Sequence, residues 1–273
     1  MKPSSKLGFM SLESPAYTKD RFKFLRNVTK HIDFFVSYRK NSTIFYPYGH
    51  ICTTLEKVPK TRNIGDEKFA MAMISNCDNR ERINLVKRIK EILGENLYLA
   101  GRCFKNPVDN HYVSLKNMTK LEKIHSMIKR HRFFLAFENS ACDEYITEKV
   151  WRTLNLGVIP IIRAAEEATF KSQLPPNSYV YISKDAAKSK ETIKTLIDGI
   201  DYAKLTDWSR KDQIESLKQK HQCHKSYSDE MRLCQLCKKL VNQEDFNLPA
   251  ENLAKWWYRD TCDKDYHYNK FKR

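Results

Sequence analysis

Glycine is scarce in this sequence, 7 residues of 273, which argues against a glycine-rich phosphate-binding loop. Long hydrophobic runs are missing too. No stretch reaches the roughly 18–20 apolar residues needed to span a bilayer, and residues 1–9 lack the apolar centre of a secretory signal. Acidic residues are outnumbered: 33 Asp and Glu face 49 Lys and Arg, for a net charge of +16. That balance favours polyanionic partners (nucleic acid, an anionic membrane surface or a nucleotide diphosphate) without choosing among them. The basic residues are spread along the chain, not gathered in one block, so a soluble protein with many solvated lysines fits equally well. Internal repeats and low-complexity segments are absent. No acidic metal-binding motif stands beside a strand-like run, since Asp263-Lys264-Asp265 falls in the C-terminal tail, and no essential metal is expected.

What is present belongs to a globular protein. The hydrophobic fraction is 41%, with 14 Tyr and 14 Phe, and the length allows two packed domains, or one large domain and part of another. Eight cysteines (Cys52, Cys77, Cys103, Cys142, Cys223, Cys234, Cys237 and Cys262) allow up to four disulfides in an oxidising compartment. Zinc is the rival reading: Cys234 and Cys237 have metal-ligand spacing. The further ligands nearby, His221, Cys223, His224 and Cys262, do not complete a common finger or ribbon pattern, so disulfides are favoured. Sequons at Asn27, Asn41 and Asn117 support a secretory protein. The lack of both a signal and an anchor conflicts with that, and suggests a fragment or a short form without its membrane anchor.

β-branched or aromatic runs alternate with helical periodicity, the pattern of a parallel sheet with crossover helices. Strands are predicted at 34–38, 69–75, 97–101, 133–137, 158–162 and 179–183. Between the second and third, Leu85, Val86, Ile89, Ile92 and Leu93 share one helix face, closed by Gly94. Two βαβ units, 68–101 and 133–162, predict a doubly wound, Rossmann-like domain. Pro47, Pro59 and the polar stretch 60–67 read as a connection, with a domain boundary near residue 58. The chain beyond 183 reads as mainly helical, ending in an aromatic, basic tail at 246–273.

The densest chemistry follows the 133–137 strand: Glu138-Asn139-Ser140, then Asp143-Glu144-Tyr145-Ile146-Thr147-Glu148-Lys149. The C-terminal ends of parallel strands are where open α/β sheets bind ligands, which places Asn139, Tyr145, Glu148 and Lys149 at a site. Thr147 is a candidate N-cap. Lys149 then falls in a first helical turn, where a cation opposes the dipole unless an anion binds there. A diphosphate, a salt bridge to Glu148 or Glu144, or plain solvation would each account for it.

The run Phe137-Glu138-Asn139-Ser140, Asp143-Glu144-Tyr145-Ile146-Thr147-Glu148-Lys149-Val150-Trp151-Arg152 and Leu156-Gly157-Val158-Ile159-Pro160-Ile161 resembles the signature of the α1,3/4-fucosyltransferases, GT-B enzymes that use GDP-fucose. Ile74-Ser75-Asn76-Cys77 with Arg80 and Arg82 resembles the family's donor segment, in which an arginine contacts the diphosphate; Arg82 fits better and Arg80 stands in reserve. Residues 35–49 resemble the segment between the family's two domains, and Leu12-Glu13-Ser14-Pro15 its short acidic motif. Cys234, Cys237 and Leu253-Ala254-Lys255-Trp256-Trp257 resemble its terminal region, where cysteines form disulfides and an aromatic helix packs on the body.

The resemblance implies an α/β, GT-B fold: a remnant of the acceptor-side domain at 1–57, a complete Rossmann-like GDP-fucose domain at 58–245, and a helical tail at 246–273 packing back on the body. It implies inverting transfer of fucose in α1,3 linkage to an N-acetylglucosamine-containing glycan of a glycoprotein or glycolipid. Glu13 would be the general base, and Arg82 and Lys149 the cations on the leaving diphosphate. Ser75, Asn76, Arg82, Asn139, Tyr145, Glu148 and Lys149 would hold the donor. No cofactor is essential in such enzymes, although Mn²⁺ can stimulate. Expected partners are GDP-fucose and a glycan acceptor, not nucleic acid, and the expected location is the Golgi lumen, with membrane association only through an anchor this chain lacks. Two departures stand out. Only about twelve residues precede Glu13, so most of the acceptor-side domain is missing, and Ala100 stands before Gly101 where relatives commonly carry tyrosine, a change of packing. The missing half leaves a second reading, a relative that binds GDP without transfer.

Overall fold

Every strand pairing among the described residues is parallel, in two separate sheets. The computed structural model describes residues 5–59, 68–106, 118–221, 223, 229–242, 246, 248, 252–258 and 261–264. The predicted connection at 60–67, the sequon residue Asn117, His224, Asp265 and much of the 246–273 tail lie outside them. The first sheet runs β1 (Gly8–Ser11), β2 (Phe34–Ser37), β3 (Ile44–Phe45) in that spatial order, with α1 (Phe22–Val28) crossing between β1 and β2.

The second sheet contains β4 (Lys68–Met73), β5 (Leu97–Ala100), β6 (His131–Leu135), β7 (Ile159–Ile162) and β8 (Val180–Tyr181), ordered β5-β4-β6-β7-β8. Counted within the unit this is 2-1-3-4-5, a doubly wound order whose direction reverses between β4 and β6. The crossovers are α3 (Arg80–Leu93), α4 (Lys120–Lys129) and α5 (Glu148–Asn155), each following its strand. Both faces of the sheet are covered, which explains why its strands read as continuous apolar runs. Ala70, Ala72 and Phe133 pack on Leu85, Val86 and Ile89 of α3. Met71 and Phe134, alternate residues pointing the other way, pack on Ile128, Val150, Trp151 and Leu154.

The expected α/β class and the helix at 80–93 are observed, with Gly94 capping that helix at φ +53°. Differences lie in the short elements. β1 and β3 went unread because one is a half-exposed four-residue edge holding Gly8 and the other has two residues. α2 (Ile51–Lys57) replaces part of the predicted connection, capped by the His50 side chain accepting from Cys52 N at 3.2 Å. Its Ile51, Cys52 and Leu55 are buried in the second unit's core, beside α5. Beyond β8 come α6 (Lys190–Asp198), α7 (Tyr202–Thr206), α8 (Lys211–Lys220), α9 (Asp229–Val241) and α10 (Leu253–Tyr258).

Three disulfides form: Cys52–Cys223, Cys77–Cys103 and Cys142–Cys262. The disulfide that the resemblance implied for the terminal cysteines is corrected here. Cys234 and Cys237 are free, exposed thiols on α9. α10 returns to the first unit, where Leu253, Ala254 and Trp257 are buried against Leu25, Phe35 and Tyr38.

Candidate functional site

At the switch point, β4 and β6 end side by side, and the loops that leave them are tied together. Asn79 caps α3, accepting from Arg82 N at 2.8 Å, and its amide donates to Asn139 O at 2.8 Å. The Arg82 guanidinium donates to Asn76 O at 2.5 Å and to Phe137 O at 3.5 Å, carbonyls just past the two strands. At 3% exposure it is buried and braces the two strand ends against each other. Ser75 and Arg80 are exposed at the rim and Asn76 is half-buried. Cys77–Cys103 joins this rim to the end of β5, where Gly101 has φ +98° and a Cβ would stand 2.3 Å from Ile74 O. Only glycine fits such a close backbone approach.

Glu138 ends the β6 run as a carboxylate with 1% exposure. A charge buried so deeply needs partners, and it has them. Thr147 donates from its backbone N at 2.9 Å and its hydroxyl at 2.7 Å, and Lys149 Nζ stands at 2.9 Å. Lys149 also reaches Thr147 Oγ1 at 2.9 Å and Glu148 Oε1 at 3.2 Å. Burial pulls the Lys149 ammonium down, but the Glu138 and Glu148 carboxylates outweigh it and the net shift is upward. Its principal partner is therefore Glu138, while Glu148 adds a weaker contact and Glu144 serves elsewhere. Thr147 is the N-cap of α5 as expected. Glu138 was missed as a partner, and its signal was a lone carboxylate closing an apolar strand.

The loop between Glu138 and α5 reaches across to the first sheet. Ser140 Oγ accepts from the buried Ser14 hydroxyl at 2.7 Å, and the Tyr145 hydroxyl donates to Glu13 Oε2 at 3.4 Å. Two motifs more than a hundred residues apart in sequence thus meet in the crevice. Glu13 itself is exposed. Tyr145 packs tilted against Tyr38 and edge-on against Tyr48, with centroids at 5.1 Å and 6.2 Å, and Tyr48 donates to Leu12 O. Burial, then the Glu138 carboxylate, push the Tyr145 hydroxyl far up, so it stays a proton donor to Glu13 throughout the neutral range. Asn139 Oδ1 is buried without a partner among the described residues.

The structure thus brings Glu13, Asn139, Tyr145, Glu148 and Lys149 to the strand-end crevice, with the buried Arg82 bracing the strand ends and Ser75 and Asn76 on the β4 side. Sequence reasoning missed Ser14, Glu138, Ser140 and the Tyr38–Tyr48 pair. The arrangement can accept a proton at an exposed carboxylate while presenting cations and a helix N-terminus to an anion. Among the described residues, no group of three or more His, Cys, Asp or Glu is placed to hold a metal ion.

Residues 64–256 match glycosyltransferase family 10 (fucosyltransferase) C-term. A mouse alpha-(1,3)-fucosyltransferase 7 is 30% identical over 191 residues, covering 68% of this chain and 43% of that protein. A human 4-galactosyl-N-acetylglucosaminide 3-alpha-L-fucosyltransferase is 26% identical over 254 residues, covering 91% of this chain and 63% of its own length. The chain thus spans less than two thirds of each of these relatives. A crystal structure of an alpha1,3-fucosyltransferase with GDP-fucose aligns over 78% of this chain and 67% of its own, at 15% identity and a TM-score of 0.46.

Proposed function

This chain belongs to glycosyltransferase family 10, the fucosyltransferases, and from that premise we propose that it moves fucose from GDP-fucose, with inversion, in α1,3 linkage to an N-acetylglucosamine-containing glycan. The observation that carries the proposal is the Tyr145–Glu13 contact at 3.4 Å, which holds a first-unit carboxylate over the crevice of the second. The acceptor hydroxyl attacks the fucose anomeric carbon as its proton passes to Glu13. The bond to GDP breaks on the opposite face, and its electron pair leaves on the β-phosphate. Charge grows there in the transition state, so cations already in place stabilise it more than the ground state. Lys149 at the start of α5 supplies one, the buried Arg82 the other. Asn139 Oδ1 lacks a partner among the described residues and is available to a donor N–H, while Ser75, Asn76, Tyr145 and Glu148 complete the donor contacts.

No metal is assigned a role: basic side chains neutralise the diphosphate, and activity is expected to persist in chelator. Three disulfides support an oxidising, secretory location such as the Golgi lumen. No helix among the described residues is long and apolar enough to cross a membrane.

The test is release of GDP from GDP-fucose with a panel of glycan acceptors. Glu13→Gln is expected to keep GDP affinity and lose turnover, and Lys149→Ala to lose both. Folded wild-type protein that binds GDP but turns over no acceptor would leave a GDP-binding relative; failure to bind GDP would overturn the donor site.

A further inference from the structure

Residues 139–147 are pinned to surrounding segments: Asn139 to Asn79, Ser140 to Ser14, Cys142 to Cys262, Asp143 N to Thr261 O at 2.7 Å, and Tyr145 to Glu13. Glu144 differs from its neighbours. Its φ is +57°, the left-handed region that favours glycine and that a residue with a long side chain enters only when its surroundings hold it there. Three contacts do so. Its Oε2 accepts from Lys40 N of the first unit at 3.1 Å, its N–H meets Thr169 Oγ1 at 3.5 Å, and its carbonyl accepts from Ile146 N at 3.0 Å. Lys40 completes the grip, its Nζ reaching Ser172 Oγ at 2.5 Å.

The turn at residues 39–42, between β2 and β3, therefore grasps the second unit through a carboxylate directly beside Tyr145. We propose that Glu144 is a positioning residue: its clasp on the Lys40 N–H, held in a left-handed backbone, aims the Tyr145 hydroxyl at Glu13 and so sets the candidate base over the crevice. The inference rests on the fucosyl-transfer reading for its catalytic consequence and on geometry alone for the clasp. A left-handed turn needed only for chain direction would be served as well or better by glycine, which enters that region freely. A clasp is served only by a side chain with an acceptor oxygen at the same reach.

Two variants separate these. Glu144→Gly relaxes the backbone and deletes the acceptor, whereas Glu144→Gln keeps reach and an acceptor oxygen. The first arm reads hydrogen exchange of the 139–147 amides and needs no turnover: about tenfold faster exchange in Glu144→Gly, with the β6 amides unchanged and Glu144→Gln like wild type, is expected. Unchanged exchange in Glu144→Gly overturns the clasp. The second arm reads kcat and, separately, GDP affinity by calorimetry. A fall in kcat of about ten- to a hundredfold, the scale of a misplacement near 1 Å, is expected in Glu144→Gly, with GDP affinity held and Glu144→Gln restoring most of the rate. Unchanged kcat, or parallel loss of GDP affinity, overturns the positioning role. A wild type that binds GDP without transfer defeats the functional reading instead, and the exchange arm then decides the clasp.

Discussion

Glu138 and Lys149 form the most consequential pair at the residue scale, because one carboxylate is wholly buried and its cation is shared with Glu148. Replacing Lys149 by Ala leaves Glu138 with only Thr147 among the described residues, and a loss of about 2 kcal/mol is expected, below the figure for a fully buried pair because the lysine is partly exposed. Urea unfolding measures it. The sign with pH follows from the upward shifts. A folded ammonium with a raised pKa contributes stability that is complete below its unfolded value and is lost as pH rises through the folded one. The buried Tyr38 and Tyr145 hydroxyls, pushed up chiefly by desolvation, act in the same direction. Stability should therefore be flat from neutral pH and fall above about pH 10, and a Lys149→Met, Tyr145→Phe double variant should show a shallower fall. Gly101→Ala tests backbone approach on its own: positive φ and a 2.3 Å contact with Ile74 O predict a loss of at least about 1 kcal/mol, read as a lower midpoint.

At the element scale, the long crossover elements were legible because period and capping agree: α3 shows a buried face of Leu85, Val86 and Ile89, Asn79 at its start and Gly94 at its end. α2 was not, since seven residues flanked by Pro47 and Pro59 carry too little periodicity, and its buried side faces a core assembled from later sequence. The site was legible in its residue types and not in its pairings. Nothing local to Lys149 shows that a carboxylate 11 residues back in the chain, and not Glu144, lies beneath it. Disulfide pairing was likewise a tertiary matter, and the free Cys234 and Cys237 show that a resemblance does not fix pairing. Cys142–Cys262 spans 120 residues and Cys77–Cys103 spans 26. Chain entropy predicts a loss of about 5 kcal/mol or less for removing the first by paired Ala substitution, and about 3.5 kcal/mol or less for the second. Amide hydrogen exchange should also show the Cys142 variant losing protection in the 139–147 loop first.

Among the described residues the molecule is two parallel sheets tied together by a C-terminal strap. Residues 252–258 carry α10 onto the first unit, and residues 261–263 meet the second through Thr261, Cys262 and the Asp263–Arg163 pair, both of whose side chains are buried. Trp257 is the centre of that strap, 1% exposed, packed on Phe35 and Tyr38 at 5.2 Å and 5.6 Å, with its indole N–H donating to Thr18 Oγ1 at 3.3 Å. The proposed donor contacts sit on the second unit, whereas Glu13, the proposed base, belongs to the first. Loosening the strap should therefore separate the two functions. Trp257→Ala is expected to lose about 3–5 kcal/mol, a large share of a typical domain's stability, so it is best read at low temperature beside the milder Trp257→Phe. In both, GDP affinity should stay within about threefold of wild type, a difference of well under 1 kcal/mol. Turnover should fall in proportion to the packing removed, because the proposed base is no longer held over the crevice. Equal loss of GDP affinity and turnover would show that the strap supports the donor site itself and that the two units act as one body.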